Sequence, residues 1–341
     1  MRLRSVHIGG GLAVLAVLMA AGYEGSHPVQ LSVPREWPPM AYDLTANPLT
    51  VEGVALGRRL FHDPILSGDS TISCSSCHLS YTAFSHVDHT LSHGLHDSIG
   101  TRNASALMNL GWNRTFMWDG AVNHLELQPL APINHPAEMG ESTVHVVAKL
   151  QRSARYSASF REAFGDATIT GERMLKALAQ FQVSLISAGS KYDHVKAGEA
   201  TFTDQEYNGY RIFQAHCAAC HQEPLFTTGD FANNGLPIDS MLRDMGRMRI
   251  TGDPKDALRF KIPTLRNIEF SYPYMHDGRF RKLREVITHY TDGIAQSSTL
   301  APELRRPIVL SSAQRTDLVA FLLTLSDRDF LLDPEHAAPM N

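Results

Sequence analysis

Apolar residues recur at helical spacing in separate segments of this chain, with polar stretches between them. The first segment, residues 50–62, ends at Asp63-Pro64, a pair that disfavours another helical turn. Residues 143–188 carry two more apolar stripes, and residues 280–291 have a helical pattern as well. Because the alternation typical of β-strands is scarce, the pattern predicts a mainly helical protein.

Capping boxes mark two helix starts in the second half of the chain. Thr203 with Glu206 begins the helix that leads towards Cys217, and Ser311 with Gln314 begins an apolar helix. In each box the hydroxyl accepts from a backbone N–H three residues later, and the longer side chain reaches back. These two positions therefore predict helix starts independently of the apolar spacing.

Long stretches without helical spacing separate the helices. Residues 23–47 are rich in proline and polar residues and predict an extended linker or arm. Residues 79–103 and 222–263 are rich in glycine and polar residues, and residues 104–140 are irregular. Loops of this length in a compact domain usually carry function.

The chemistry of the chain is concentrated in two short motifs. Residues 74–78 and 217–221 both read Cys-x-x-Cys-His, the pattern for covalent attachment of a c-type haem, and together they contain all four cysteines. Two thiols add to the vinyl groups of the porphyrin, and the histidine supplies an axial nitrogen to the iron. The predicted haem-binding residues are Cys74, Cys77, His78, Cys217, Cys220 and His221.

Other uses of these cysteines are less consistent with the pattern. Zinc knuckles usually lie about 15–20 residues apart, whereas most of the chain separates these motifs. Thioredoxin-like pairs need a βαβ context, and two local disulfides would leave both histidines without a reason. The approaches Gly57–Phe61 and Gly209–Phe213 are also alike, which indicates an internal repeat and two related haem domains. We place these domains at residues 48–195 and 196–341.

Composition limits the class of partner and the location. The 341 residues suit two domains, 43% are apolar, and the net charge of −4 argues against a nucleic-acid binder. Residues 1–22 place two arginines before an apolar run from Ile8 to Ala21, which predicts a secretory signal; an uncleaved membrane anchor is the alternative. Export agrees with c-type haem, which is attached outside the cytoplasm, and predicts a periplasmic protein.

Over residues 48–335 the chain resembles the bacterial di-haem cytochrome c peroxidase and MauG superfamily. The resemblance rests on both haem motifs together with further stretches in the same order. These stretches are Leu56–Phe61, Asp63–Ser67, Arg102-Asn103, Trp118–Gly120, Gln128, Pro132, Glu138–Gly140, Asn234–Leu236, Pro263–Asn267 and Tyr272–Gly278.

The resemblance implies two cytochrome c-like domains, each with one haem, and an active site near their interface. The haem held by His78 would reduce peroxide, and the haem held by His221 would transfer electrons. Glu138 takes the place of the family's distal acid, which moves a proton between the two peroxide oxygens. Gln128 and Pro132 shape the same pocket, and Trp118 matches the tryptophan that relays electrons between the haems.

Two axial ligands remain open from the sequence. On the C-terminal haem, the sixth ligand falls on Tyr290, the residue type found in MauG-like enzymes, with Met275 and His289 as nearby alternatives. Tyrosinate lowers the iron potential, whereas methionine raises it. In classical members of the family, a histidine after a Ser-x-Gly sequence blocks the iron of the N-terminal haem. Here Ser92-His93-Gly94 is followed by Leu95. We expect an open iron, although the loop is rich in histidines: His86, His89, His93 and His96.

The resemblance also implies a calcium ion between the domains, with Asn103, Ser271 and Pro273 at the matching positions. The first functional hypothesis is an exported peroxidase that takes electrons from a small cytochrome c or cupredoxin. The second is a MauG-like oxidase that modifies a tyrosine or tryptophan of a partner protein. A passive electron carrier is a third, but it would need no acid such as Glu138 over its iron. Homodimers are common in the family.

Overall fold

In the computed structural model, which describes residues 26–339, short α-helices are joined by long loops and single 3₁₀ turns. The α-helices of the described residues are α1 (Val51–His62), α2 (Cys74–Cys77), α3 (Leu130–Asn134), α4 (Thr143–Gln151), α5 (Ala154–Phe164), α6 (Gly171–Ser184), α7 (Lys191–Lys196), α8 (Asp204–His216), α9 (Met248–Thr251), α10 (Leu283–Asp292), α11 (Ser312–Leu323) and α12 (Arg328–Leu332). The mainly helical class is confirmed. The predicted signal at residues 1–22 lies outside the described part.

Strand structure within residues 26–339 is minimal. The strands β1 (Phe231–Ala232) and β2 (Phe260–Lys261) pair antiparallel, with Phe231 opposite Lys261. Both belong to the long polar stretch of the second half, where the sequence indicated only a loop. No helix of the described residues is long and apolar enough to cross a membrane.

The helix starts follow their local sequence. Thr50 caps α1 by accepting from the Gly53 N–H at 3.0 Å, and Asp63-Pro64 follows the last turn. The predicted box at Thr203 begins α8. The predicted box at Ser311 begins α11. These caps satisfy backbone N–H groups that have no partner inside the helix.

Two separate apolar cores are present. The first is built around α1 and α4 to α6, and the second around α8, α10 and α11. Two segments cross between the cores. Tyr192, before the predicted boundary, belongs to the second core, whereas Phe330 and Leu331, near the C-terminal end, belong to the first. The single boundary between residues 195 and 196 stays a prediction.

Each core contains one close helix crossing at a glycine. A Cβ atom at Gly57 of α1 would lie 1.9 Å from the Ala177 carbonyl oxygen of α6. In the second core, a Cβ atom at Gly209 of α8 would lie 1.9 Å from the Asp317 carbonyl oxygen of α11. Only glycine permits these approaches, because real Cβ atoms do not come so close to backbone oxygen.

The crossings place equivalent aromatic clusters beneath the two haem motifs. In the first core the rings of Phe61 and Phe181 have centroids 5.3 Å apart. In the second core Phe213 and Phe321 take the same places at 5.1 Å. The repeat seen at 57–61 and 209–213 therefore extends to the packing of whole helix pairs.

We predict that Gly209→Ala lowers the free energy of unfolding of the haem-loaded protein by about 2–3 kcal/mol, because the methyl group overpacks the α8–α11 crossing. Chemical denaturation followed by circular dichroism measures the change. Gly171→Ala is the matched control: its Cβ meets only the Thr143 methyl group, at 3.1 Å. Equal effects of the two substitutions would show that the crossing is not the cause.

Candidate active site

A cavity of about 770 Å³ lies between the two cores and is lined by residues of both Cys-x-x-Cys-His motifs. The segments 101–119 and 260–276 form much of its wall, so both domains contribute to one space. Most of the wall is apolar, with a few polar groups directed inward. Such a cavity suits flat, largely apolar groups with a few specific contacts.

The first motif presents one imidazole nitrogen to this cavity. His78 follows α2, and its Nδ1 donates to the Phe84 carbonyl oxygen at 2.7 Å. A carbonyl can only accept, so the hydrogen is on Nδ1 and Nε2 keeps a free lone pair. Burial lowers the pKa of His78 to about 4, and the bond to Phe84 opposes that shift. The neutral ring is the form that ligates iron.

The second motif repeats this arrangement. The His221 Nδ1 lies 3.1 Å from the carbonyl oxygens of Phe226 and of Pro263, and burial lowers its pKa. Phe84 and Phe226 both adopt left-handed backbone conformations, with φ of 57° and 54°. This conformation turns each carbonyl towards its histidine.

The thiols complete two equivalent donor sets. None of the four cysteines, all of which lie in the described part of the chain, forms a disulfide. Burial raises the pKa of Cys74 and of Cys217 to about 12, so these thiols are protonated. Two thiols and a free imidazole nitrogen on one cavity wall fit one c-type haem in each domain.

Three predicted residues of the catalytic pocket line the cavity together: Gln128, Pro132 and Glu138. Burial raises the pKa of the Glu138 carboxyl group, and the nearby His135 opposes the shift. Pro132 lies in α3 and accepts from the Met139 N–H at 3.1 Å, which closes the chain back over the pocket. The pocket thus holds a carboxyl group that binds a proton more readily than an exposed glutamate does.

The histidine-rich loop packs against the backbone of Glu138. The Leu95 N–H donates to the Glu138 carbonyl oxygen at 2.9 Å. A Cβ atom at Gly94 would lie 2.1 Å from the Ala137 carbonyl oxygen, so only glycine permits this contact. The loop therefore fixes the segment that carries the candidate acid.

The four loop histidines are not directed at one point. His93 alone among them lines the cavity, and its Nδ1 is paired with Asp97 at 2.8 Å. His89 stacks on His93, with ring centroids 4.0 Å apart, whereas His96 is exposed. Leu95, at the expected position of a blocking ligand, is buried.

Trp118 lies where the two domains meet. Its Nε1–H donates to the Asn103 carbonyl oxygen at 2.9 Å, and its own carbonyl accepts from the Lys261 N–H at 2.7 Å. Beside it, Arg102 donates to Asp119 at 2.6 Å and forms two bonds to Asp244, at 2.6 and 3.0 Å. The indole is therefore held through Asn103 of the first half of the chain, and the backbone of Trp118 is held by Lys261 of the second half.

The backbone contacts at the domain junction occur in two equivalent copies. The Asn103 N–H donates to the His276 carbonyl oxygen at 2.7 Å, which mirrors the bond from Lys261 to Trp118. Met117 and Met275 both have left-handed backbones, with φ of 68° and 75°. At a constant separation along the chain, residues 103–120 thus correspond to residues 261–278, and Trp118 corresponds to His276.

Sequence reasoning missed this second repeat. Its signal was available, since Met-x-Asp-Gly occurs at 117–120 and again at 275–278, and Leu-x-Asn occurs at 107–109 and 265–267. The repeat makes Lys261 the counterpart of Asn103, although no sequence motif had identified Lys261. It also pairs backbone contacts that short patterns do not reveal.

The three candidates for the sixth ligand of the C-terminal haem separate into two groups. Tyr290 of α10 and Met275 both line the cavity, and the Asn234 Nδ2 lies 3.5 Å from the tyrosine oxygen and 3.4 Å from the methionine sulfur. Burial raises the pKa of Tyr290 to about 12, and the contact with Asn234 opposes the shift. His289 does not line the cavity, and its Nε2 is bonded to the Asn234 carbonyl oxygen at 3.0 Å.

The residues matched to a calcium site also line the cavity: Asn103, Ser271 and Pro273. Asn103 is buried, and its Nδ2 donates to the Thr90 carbonyl oxygen at 3.1 Å, so its amide oxygen is left as an acceptor. The described residues contain no group of three or more His, Cys, Asp or Glu side chains placed to hold a metal. The candidate site uses amide and carbonyl oxygens instead, which are ligands that Ca²⁺ accepts.

Comparisons with known proteins agree with this arrangement. The di-haem cytochrome c peroxidase family profile matches residues 51–201, and the cytochrome c profile matches residues 207–326. The chain is 37% identical to the methylamine utilization protein MauG of Methylorubrum extorquens, covering 82% of this chain and 80% of that protein. It is 35% identical to the cytochrome c551 peroxidase of Nitrosomonas europaea, covering 70% and 73%.

A solved structure of a MauG-like protein associated with microbial copper homeostasis superposes with a TM-score of 0.82. The two chains are 34% identical, and the match covers 91% of this chain and 99% of that one. The similarity therefore spans both domains and the cavity between them.

The raised pKa of Glu138 predicts a pH-dependent loss of stability. Its folded-state pKa lies above the ordinary value of 4.5, so its contribution to stability is full below that pH and is lost as pH rises through the folded-state pKa. As pH rises above 4.5, the wild type should lose stability relative to Glu138→Gln. The loss is about 1.4 kcal/mol for each pKa unit by which the folded-state pKa exceeds the pKa in the unfolded chain.

Denaturation midpoints at increasing pH measure the loss, with the exposed Glu162→Gln as control. Parallel pH curves for wild type and Glu138→Gln would contradict the assignment.

Proposed function

This chain belongs to the di-haem cytochrome c peroxidase and MauG family, and we propose that it reduces hydrogen peroxide at a haem held by His78. Membership makes it a peroxidase-type oxidoreductase with two c-type haems. In our proposal, electrons enter through the haem held by His221, from a small cytochrome c or cupredoxin. The overall reaction consumes one peroxide, two electrons and two protons and releases two waters.

The observation that carries the proposal is the carboxyl group of Glu138 in the same cavity as His78. When bound, the haem supplies the iron at which peroxide binds and the electrons that cleave its O–O bond. The chain must supply the proton transfer. A carboxyl group with a raised pKa accepts the proton from one peroxide oxygen and returns it to the other, so that the leaving oxygen departs as water.

The residues around Glu138 have positioning roles in this proposal. The Gln128 Nε2 donates to the Met117 sulfur at 3.7 Å, so this contact uses the amide nitrogen and not the amide oxygen. Pro132 contributes a rigid apolar wall that limits the water around the carboxyl group. Leu95, buried where a blocking histidine would stand, supports an iron that is open without prior activation.

Trp118 is the proposed electron relay between the haems. It lines the cavity and is fixed by bonds to Asn103 and Lys261, one from each domain. A rigid aromatic ring between two redox groups lowers the barrier to electron transfer and needs little reorganisation. A passive electron carrier would also use such a ring, but it would have no use for the carboxyl group of Glu138.

A second candidate function is the oxidation of a tyrosine or tryptophan on a partner protein, as a MauG-like oxidase. Tyr290 favours it, because its hydroxyl group lines the cavity beside Asn234 and an anionic oxygen ligand would lower the potential of the C-terminal haem. The two functions differ in their electron source, a small redox protein or a protein substrate. We also propose export to the periplasm, a calcium ion held through Asn103, and the two-domain division at 195 and 196.

We predict that Glu138→Gln lowers kcat for peroxide reduction by roughly 100- to 10,000-fold, because the amide cannot carry the proton. Steady-state assays with reduced cytochrome c measure the rate. The haem absorption spectrum should be unchanged, which separates lost catalysis from lost cofactor. Glu162→Gln, far from the cavity, should retain wild-type turnover, and full activity of Glu138→Gln would remove the proposed role.

We predict that Tyr290→Phe changes the absorption and electron paramagnetic resonance spectra of the haem attached at Cys217 and Cys220 and raises its reduction potential. Tyr274→Phe is the matched control, because Tyr274 also lines the cavity but its hydroxyl group is bonded to the Ile268 carbonyl oxygen at 2.9 Å. An unaltered spectrum in Tyr290→Phe, with an altered one in Met275→Leu, would transfer the assignment to the methionine.

A further inference from the structure

The Lys261 ammonium group is a buried cation in the domain junction, and no carboxylate side chain of residues 26–339 is its partner. No carboxylate of the described residues lies within 4.0 Å of its Nζ. Its Nζ donates to the Thr115 carbonyl oxygen at 2.9 Å, and the Phe116 ring lies 5.8 Å away. Burial lowers the pKa of Lys261 to about 8, so the ammonium group persists at neutral pH.

The internal repeat gives this contact a counterpart. In the correspondence of residues 103–120 with 261–278, Lys261 occupies the place of Asn103, and Thr115 occupies the place of Pro273. The correspondence rests on the paired bonds from Lys261 to Trp118 and from Asn103 to His276, both 2.7 Å long. The ammonium-to-carbonyl contact of one copy therefore corresponds to the positions of Asn103 and Pro273 in the other copy.

The two copies differ in charge at that place. In the first, an ammonium group neutralises the carbonyl dipole of Thr115. In the second, Asn103, Ser271 and Pro273 line the cavity, and within residues 26–339 no hydrogen bond is donated to the Asn103 amide oxygen or to the carbonyl oxygens of Ser271 and Pro273. Neutral oxygens of this kind are ligands that a Ca²⁺ ion accepts.

We propose that the domain junction contains a duplicated cation position, filled in one copy by the Lys261 ammonium group and in the other by a divalent cation of the Ca²⁺ class. The inference rests on the calcium ion proposed above and extends it to a residue outside that site. The contact on the Trp118 side then needs no free ion, because its cation is attached to the chain. The contact on the His276 side depends on metal availability.

The test exchanges the residues between the copies. Lys261→Asn places the amide of Asn103 in the equivalent position, so bound calcium in the holoprotein should rise from about one to about two ions per chain. Lys261→Met is the matched control, since it removes the ammonium group without supplying an oxygen ligand, and it should keep the wild-type content. The reciprocal Asn103→Lys should contain none. Elemental analysis after dialysis against calcium and gel filtration measures all four proteins.

Two failures are distinguishable in this experiment. Wild-type holoprotein without calcium would contradict the ion proposed for Asn103. Lys261→Asn with no more calcium than Lys261→Met would contradict the duplicated position. Haem content and thermal midpoint, recorded for each variant, verify that the folded holoprotein is compared.

Discussion

The structure depends on two helix crossings that only glycine permits. At Gly57 and Gly209 one helix touches the backbone of another, and this approach fixes the next turn of the first helix. Phe61 and Phe213 lie one turn further on and are fully packed. The haem motif follows from there, so its thiols and histidine inherit the rigidity of the crossing. Because the packing is close, a shift at the helix crossing would also displace the haem motif.

The histidine geometry is the second consequence of this packing. Phe84 and Phe226 are held in left-handed conformations by the same aromatic clusters, with ring centroids 5.8 Å from Phe61 and 5.4 Å from Phe213 respectively. Their carbonyls fix the tautomer of the two ligand histidines. An apolar core thus determines which imidazole nitrogen can reach an iron, and strain in one backbone residue is offset by burial of its ring.

The sequence predicted the features that neighbouring residues encode and missed the contacts between distant segments of the chain. The haem motifs, the start of α1 after Thr50 and the boxes at Thr203 and Ser311 are encoded by neighbouring residues. The role of the arm at 23–47 was not predicted in the same way. Its Trp37 is buried between Trp112, at 5.0 Å, and Arg266, at 4.6 Å, which lie far away in the chain. No periodicity within the arm could reveal partners that come together only after folding.

The repeat makes the two halves of the cavity similar, and a few residues make them differ. The two halves share equivalent helix crossings, histidines and exchanged backbone bonds, and they differ in the side chains at a few corresponding positions. The counterpart of Trp118 is His276, whose ring stacks on Phe260 with centroids 3.7 Å apart. Glu138 lies on a segment outside the repeated stretches, beside one haem motif only. In the proposed function, a few unequal side chains give this symmetric scaffold its direction: the carboxyl group of Glu138 would transfer protons at one end, and the Trp118 ring would relay electrons between the two ends.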